Sequence, residues 1–224
     1  YKRQVWIGTA VFVHIHAAST LTSWQFSLSG EKPKYIHVGQ LVETSENARG
    51  TLESELVGRV DIEPSSRVRL VAAKGDEQRL SLDRGTIHAL IWAPPARFIV
   101  NTPAAKAVDL GCEYTLHVGR SGMGLLTVEL GWVAFQWHGM ESFIPAGAAC
   151  TTRPGRGPDT PYFMDAPRTF RSAIAEFDMH GSRQALRVVL AAARQRDGLT
   201  LWHLLQRTRG DERLEVFGRL AELV

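Results

Sequence analysis

LSLDRGTIHALIW (residues 80–92) and LTVELGWVAFQW (residues 126–137) carry the reading that decides the fold. Each opens with alternating apolar and polar residues, passes an acid (Asp83, Glu129) and a glycine (Gly85, Gly131), and resumes the alternation. A period of two is the pattern of a half-buried strand. A glycine lacks the Cβ that would resist a bend, so it sits where one strand must turn into the next. Two such copies, 46 residues apart, predict stacked coils or paired hairpins.

The same alternation extends outward. RVDIE (59–63), RVRLV (67–71) and QRLSL (78–82) are separated by Pro64-Ser65-Ser66 and Lys74-Gly75-Asp76. RFIVN (97–101), YTLHV (114–118), LLTVEL (125–130), WVAFQW (132–137) and MESFIP (140–145) follow. Together with TIHALIW (86–92), they give about ten short strands with no helix between them, the pattern of an all-β sandwich, barrel or solenoid.

After Cys150 the pattern changes. TTRPGRGPDTP (151–161) reads as a linker or a loop packed on the β region. Helical spacing then predicts a helix from Arg168 to Met179, and a second one capped by Ser182 and stopped by Asp197-Gly198. A third covers LTLWHLLQRT (199–208), with Leu201, Leu204 and Leu205 inward. A fourth follows Gly210-Asp211, with Leu214, Phe217, Leu220 and Leu223 recurring every three to four residues. Four helices this short bury too little alone, so an antiparallel bundle packed on the β region or on a partner is expected. Trp202 is read either as a core residue or as an interface aromatic.

The N-terminal stretch VWIGTAVFVHIHAASTLT (5–22) follows Lys2 and Arg3 and lies between Trp6 and Trp24. As a helix it would be about 27 Å long, near the minimum for a bilayer core. Its basic flank would place the N-terminus in the cytoplasm. A signal-peptide remnant and a buried strand are the other two readings. Tyr1 in place of Met is read as the start of a processed or partial chain. His14 and His16 have no third ligand nearby and are not read as a metal site.

Charge and chemistry narrow the function. The net charge is +3 and hydrophobic residues make up 44%, which excludes disorder. Arg168, Arg171, Arg183, Arg187, Arg194, Arg196, Arg207, Arg209 and Arg213 alternate with acids and apolar residues and read as solvated helix faces. No interleaving of aromatic and basic residues points to nucleic acid. No phosphate loop or dinucleotide fingerprint is present, and GRSGM (119–123) has the wrong spacing for a nucleophile elbow. His37, His88, His117 and His138 stand singly. Asp109 and Glu113 form a carboxylate pair around Leu110-Gly111-Cys112, but Asp109 is better read as bonding the backbone of a chain bend. Catalytic residues, metal ligands and cofactors are therefore all expected to be absent. Cys112 and Cys150 match no zinc spacing and are either one disulfide or two buried thiols.

NTPAAKAVDLGCEYTLHV (101–118) resembles the signature of the FecR family, with Phe98, Val100, Thr102, Pro103, Asp109, Leu110, Gly111 and Tyr114 falling on it. GQLVET (39–44), LVGRVDIEPSSRVRL (56–70), LDRGTIHA (82–89), VELGWVAF (128–135) and PAGAAC (145–150) resemble further family elements, in the same order. The resemblance implies a periplasmic β-rich domain, described as a twisted solenoid, that follows one inner-membrane helix and a cytoplasmic region holding a sigma factor. This chain does not match the family's cytoplasmic region or its small receptor-binding domain. In a periplasmic setting the resemblance implies a Cys112–Cys150 disulfide, closing a loop of about 38 residues with a stabilisation of roughly 3–4 kcal/mol.

The expected architecture is mainly β with a helical C-terminal region: a twisted solenoid or sandwich-like FecR domain, then a small bundle. Residues 1–24 are assigned to a membrane span or anchor remnant, 35–150 to the β-domain, 151–166 to a linker and 167–224 to the helices. The expected role is that of an extracytoplasmic, membrane-anchored module that binds a protein partner in the cell envelope. A sigma factor would act through a region outside this chain. The alternative is a periplasmic scaffold or a glycan- or peptide-binding protein with no transcriptional output.

Overall fold

The computed structural model describes residues 4–7, 11–14, 23–29 and 32–224. Strands β1 (Gln4–Ile7) and β2 (Val11–His14) pair antiparallel, with Gln4 opposite His14 and Ile7 opposite Val11. These two segments are strand and not helix. The rest of the stretch expected to span a membrane (1–3, 8–10 and 15–22) lies outside the described residues, as does His16 of the histidine pair. Among the described residues, no helix is long and apolar enough to cross a membrane.

Sixteen further strands make one hydrogen-bonded network in two layers. The first layer contains β3 (Trp24–Leu28), β4 (Lys34–Ile36), β6 (Gly50–Ser54) and β7 (Gly58–Ile62). It continues through β12 (Glu113–Val118), β13 (Gly124–Leu130) and β16 (Ala148–Arg153), with β17 (Gly157–Pro158) and β18 (Tyr162–Phe163) on its far side. The second layer contains β5 (Leu41–Glu43), β8 (Arg67–Lys74), β10 (Phe98–Asn101), β11 (Lys106–Asp109), β14 (Trp132–Trp137) and β15 (Met140–Pro145). The long strand β9 (Glu77–Ile91) belongs to both: its first half pairs with β8 and β10, its second half with β7 and β12. Every pairing is antiparallel except β9 with β10. The strand order has free ends, so these strands do not close into a barrel.

Inward residues of both layers share one core, including Trp24, Phe98, Tyr114, Leu116 and Phe135, all 0–1% exposed. Burying each such side chain stabilises the fold by about 1.5–3 kcal/mol. Trp24 stacks at 6.1 Å on Phe98 and donates its indole N–H to Gln78 Oε1 at 3.0 Å, which satisfies the one polar atom it brings inside.

The glycines of the sequence repeat mark the layer crossings. At Gly85 β9 passes from the second layer to the first, and at Gly131 the chain passes from β13 in the first to β14 in the second. Both have positive φ (100° and 75°). A Cβ on Gly85 would overlap Ser66, and one on Gly131 would overlap the Gly111 carbonyl. The segments expected as two strands, QRLSL and TIHALIW, are therefore one strand that bends without ending.

The tail forms α1 (Arg168–His180), α2 (Arg183–Ala192), α3 (Gly198–Arg207) and α4 (Gly210–Leu223) around a second core that includes Phe170, Leu186, Val189, Leu201, Leu204 and Val216. Ser182 Oγ accepts from Ala185 N at 3.3 Å, the N-cap geometry its position predicts. Helix α2 ends before the expected Asp197-Gly198 stop. The fully buried Asp197 carboxylate accepts from Arg194 N (3.0 Å) and Arg194 Nε (2.8 Å) and winds Gln195–Asp197 into a 3-10 turn. In α4 the apolar stripe divides, with Leu220 and Leu223 packed against the second core. Val216 is fully buried, whereas Leu214 and Phe217 are 69% and 59% exposed. Arg219 sets this rotation by donating to Leu190 O and Ala193 O at the end of α2.

Residues 151–166 bind the two parts together. They contain the end of β16 along with β17 and β18. Asp178 of α1 accepts from Thr160 N and Oγ1 at 2.7 and 2.8 Å, and Arg207 of α3 donates to Pro158 O and Asp159 O at 2.8 and 3.1 Å.

Candidate interaction surface

The signature residues divide between two places. Thr102 turns the chain between β10 and β11. Its Oγ1 accepts from Ala104 N and Ala105 N and donates to Ala105 O at 2.8 Å, so its polar capacity is used locally. Thr102 and Pro103 line a cleft of about 590 Å³ whose opposite wall is the β14–β15 hairpin, including Trp137, His138 and Glu141. His138 and Gly139 both have positive φ (44° and 81°), the backbone of a two-residue type I′ turn.

Asp109, Leu110, Gly111 and Cys112 form the crossing between β11 and β12, beside the crossing at Gly131. Asp109 is 1% exposed; its Oδ1 accepts from Gly111 N at 2.7 Å and its Oδ2 from the Cys112 thiol. Burial pushes this carboxyl up to about 6, while the two hydrogen bonds pull the other way. Burial, then the charge of Asp109, raises the Cys112 thiol. Tyr114 is fully buried, and burial raises its phenol as well. Glu113 points to solvent, so Asp109 and Glu113 do not make a carboxylate pair.

Both cysteines are free and buried. The implied disulfide is not formed, and the register explains why. Cys150 lies opposite Leu126 and Glu113 lies opposite Leu130, so the two thiols sit about four residues, roughly 13 Å, apart along β13. A disulfide needs Cα atoms within about 7 Å.

The crossing carries a surface. Inward phasing of Ile87, Ala89 and Ile91 turns Leu90 and Trp92 outward, to 44% and 50% exposure. A bulge opposite Glu113–Tyr114 leaves both Glu129 and Leu130 facing solvent, and Trp132 follows across Gly131. Leu130 and Trp132 are 61% and 46% exposed. Glu113 pairs with Leu90 on one side and Leu130 on the other. Backbone bonds tie the row together: Ile91 N donates to Cys112 O at 3.0 Å and Leu110 N to Trp132 O at 3.1 Å. Trp92 also anchors to the next loop through its indole N–H, which donates to Glu55 O at 2.8 Å beside the exposed Leu56. Gly111 lies within this row, presents no side chain and has open space where a Cβ would stand. Clustered exposed apolar and aromatic side chains of this kind mark interaction sites.

Trp202 lies elsewhere. It is 41% exposed on α3, with its ring 6.4 Å from Phe143 and edge-on to His203. His203 Nε2 lies 3.3 Å from Phe143 N and 3.2 Å from Phe143 O, so the imidazole meets the backbone of β15, the end strand of its layer. Burial lowers His203 to about 4. Among the described residues, no group of three or more His, Cys, Asp or Glu side chains is placed to hold a metal ion.

Sequence reasoning missed Leu90, Trp92, Leu130 and Trp132 as a set. Part of the signal was present: LIW (90–92) and LGW (130–132) each place Leu and Trp two residues apart where a strand ends.

No family model and no curated protein matches this chain. Two crystal structures of a Parabacteroides distasonis protein provisionally assigned as an anti-sigma factor, at 1.65 and 2.50 Å resolution, are similar to it in backbone. Each aligns with TM-score 0.49 and 14% identity over 60% of this chain. The alignment spans 63% of that protein's chain, under two thirds of its length.

Proposed function

We propose that this chain is the extracytoplasmic, protein-binding module of a FecR-type signalling regulator, and that it docks its partner on the surface around Gly111. The observation that carries the reading is two half-exposed tryptophans, with Leu90 and Leu130, set around a crossing held rigid from beneath by the buried Asp109. Half-exposed tryptophans of this kind dominate binding energy when a partner covers them. The ordered sequence resemblance supplies the envelope setting, the membrane tether and the anti-sigma-like output.

The test is differential co-purification of the tagged full-length protein from its own cells. Trp92→Ala/Trp132→Ala should lose a partner that the wild type and Trp202→Ala both retain, with unchanged circular dichroism. Recovery of the same partners by all three proteins would contradict the reading. A second reading, saccharide binding, is favoured by the 590 Å³ cleft. There Lys106, Gln136 and Glu141 stand side by side on neighbouring strands, next to Trp137.

A further inference from the structure

The cleft beside the Thr102 turn shares no residue with the Gly111 surface, and both of its walls are held by local structure. Thr102 Oγ1 fixes one wall by accepting from Ala104 N and Ala105 N at 3.2 and 3.0 Å. The other wall is the tight turn at His138 and Gly139. Trp137 is packed in place: a Cβ on Gly157 would overlap its ring, and the His138 ring meets it edge-on at 4.5 Å.

A row of polar side chains lines the same cleft, and its hydrogen-bonding capacity is only partly used. Lys106 lies opposite Gln136, and Gln136 opposite Glu141, on the successive strands β11, β14 and β15. Gln136 Nε2 donates to Glu141 Oε1 at 2.9 Å, which leaves the Gln136 carbonyl and the second Glu141 oxygen to accept. The Lys106 side chain is exposed and enters no ion pair or hydrogen bond among the described residues. The row therefore runs from a cationic donor to two acceptors over two strand spacings, about 9–10 Å.

Each class of ligand meets this row differently. A phosphate or sulfate gains Lys106 but is repelled by Glu141, and a cationic side chain meets the reverse. An α-amino acid carries its two charges on one carbon, too close together to span the row. A neutral sugar donates hydroxyl protons to Gln136 and Glu141 but leaves the ammonium to water. A pyranose bearing a carboxylate uses all three groups, and its C–H face suits the apolar surface of Pro103 and Trp137. The volume, about 590 Å³, is in the range of small-ligand sites.

Resting on the saccharide reading of this cleft, we propose that its ligand is a uronic acid unit of an acidic saccharide. The carboxylate pairs with Lys106, and ring hydroxyls donate to Gln136 Oε1 and to the open Glu141 oxygen.

The test titrates the whole chain by calorimetry with trisaccharides of glucuronate, galacturonate and mannuronate, and with their methyl esters, which keep the ring and remove the charge. At least one acid should bind about tenfold more tightly than its ester, the worth of one hydrogen bond between charged groups. Lys106→Gln should remove that preference and leave ester binding unchanged. Lys74→Gln, outside the cleft, should change neither. Gln136→Ala should weaken acid and ester alike, with thermal melting verifying that each variant is folded. Equal binding of acid and ester, both weakened by Gln136→Ala, would overturn the uronate assignment and leave the saccharide reading standing. An acid preference lost as fully in Lys74→Gln as in Lys106→Gln would reduce it to general surface charge and overturn the assignment. No binding of any of these saccharides would overturn both.

Discussion

Asp109, Gly111 and Gly131 show how a few atoms set the surface. The Asp109 carboxylate replaces water with Gly111 N and the Cys112 thiol, and its position beneath the crossing keeps Gly111 at φ 89°. Gly111 and Gly131 look equivalent in sequence, but they carry different constraints. A Cβ on Gly111 meets nothing within 4 Å, so Gly111→Ala costs only the positive φ, about 1–2 kcal/mol. A Cβ on Gly131 would overlap the Gly111 carbonyl, backbone that cannot yield without parting the two crossings. Thermal melting should therefore show Gly131→Ala destabilised well beyond Gly111→Ala, by about 3 kcal/mol or more in total. Equal losses would contradict the stacked arrangement. The free thiols follow from the same register: the sequence offered two cysteines and no means of seeing that β13 holds them four residues apart.

Among the elements, strands were legible where one face is wet. RVRLV and YTLHV alternate because their outer faces meet solvent or a polar neighbour, and each is a strand. β11 was not legible, since Ala107, Val108 and Asp109 are all buried and leave no alternation. In α4 an apolar stripe at helical spacing included Leu214 and Phe217, but Val216, Leu220 and Leu223 took the core side, with Arg219 anchored on α2. The contact of α3 with β15 depends on a neutral His203. Its lowered pKa means that the unfolded chain takes up the proton first, between about pH 6.5 and 4. This contribution to stability is complete above pH 6.5 and is lost as pH falls toward 4. Asp109 acts in the opposite direction. Its raised pKa means that the folded chain is protonated first, so its burial penalty is relieved as pH falls from about 6 to 4. On moving from about pH 7 to pH 5, His203→Gln should melt with a more favourable shift than wild type, and Asp109→Asn with a less favourable one. Identical pH profiles for the variants and wild type would contradict these burials.

The whole molecule is two cores joined by short hydrogen-bonded segments, with the Gly111 surface on the layer crossing and the 590 Å³ cleft lined by the Thr102 turn and the β14–β15 hairpin. The ordered motifs carried the β-then-helix division into the sequence reading. The surface did not come with them, because it depends on which residues face outward at a crossing that only pairing reveals. A partner seated on that crossing would shield its backbone from solvent. Hydrogen–deuterium exchange of the chain, alone and with its co-purified partner, measures this directly. Protection should be concentrated at residues 88–93, 110–114 and 129–133. Protection confined to the cleft residues 102–106 and 136–141 or to α3, with the Gly111 crossing unchanged, would contradict it.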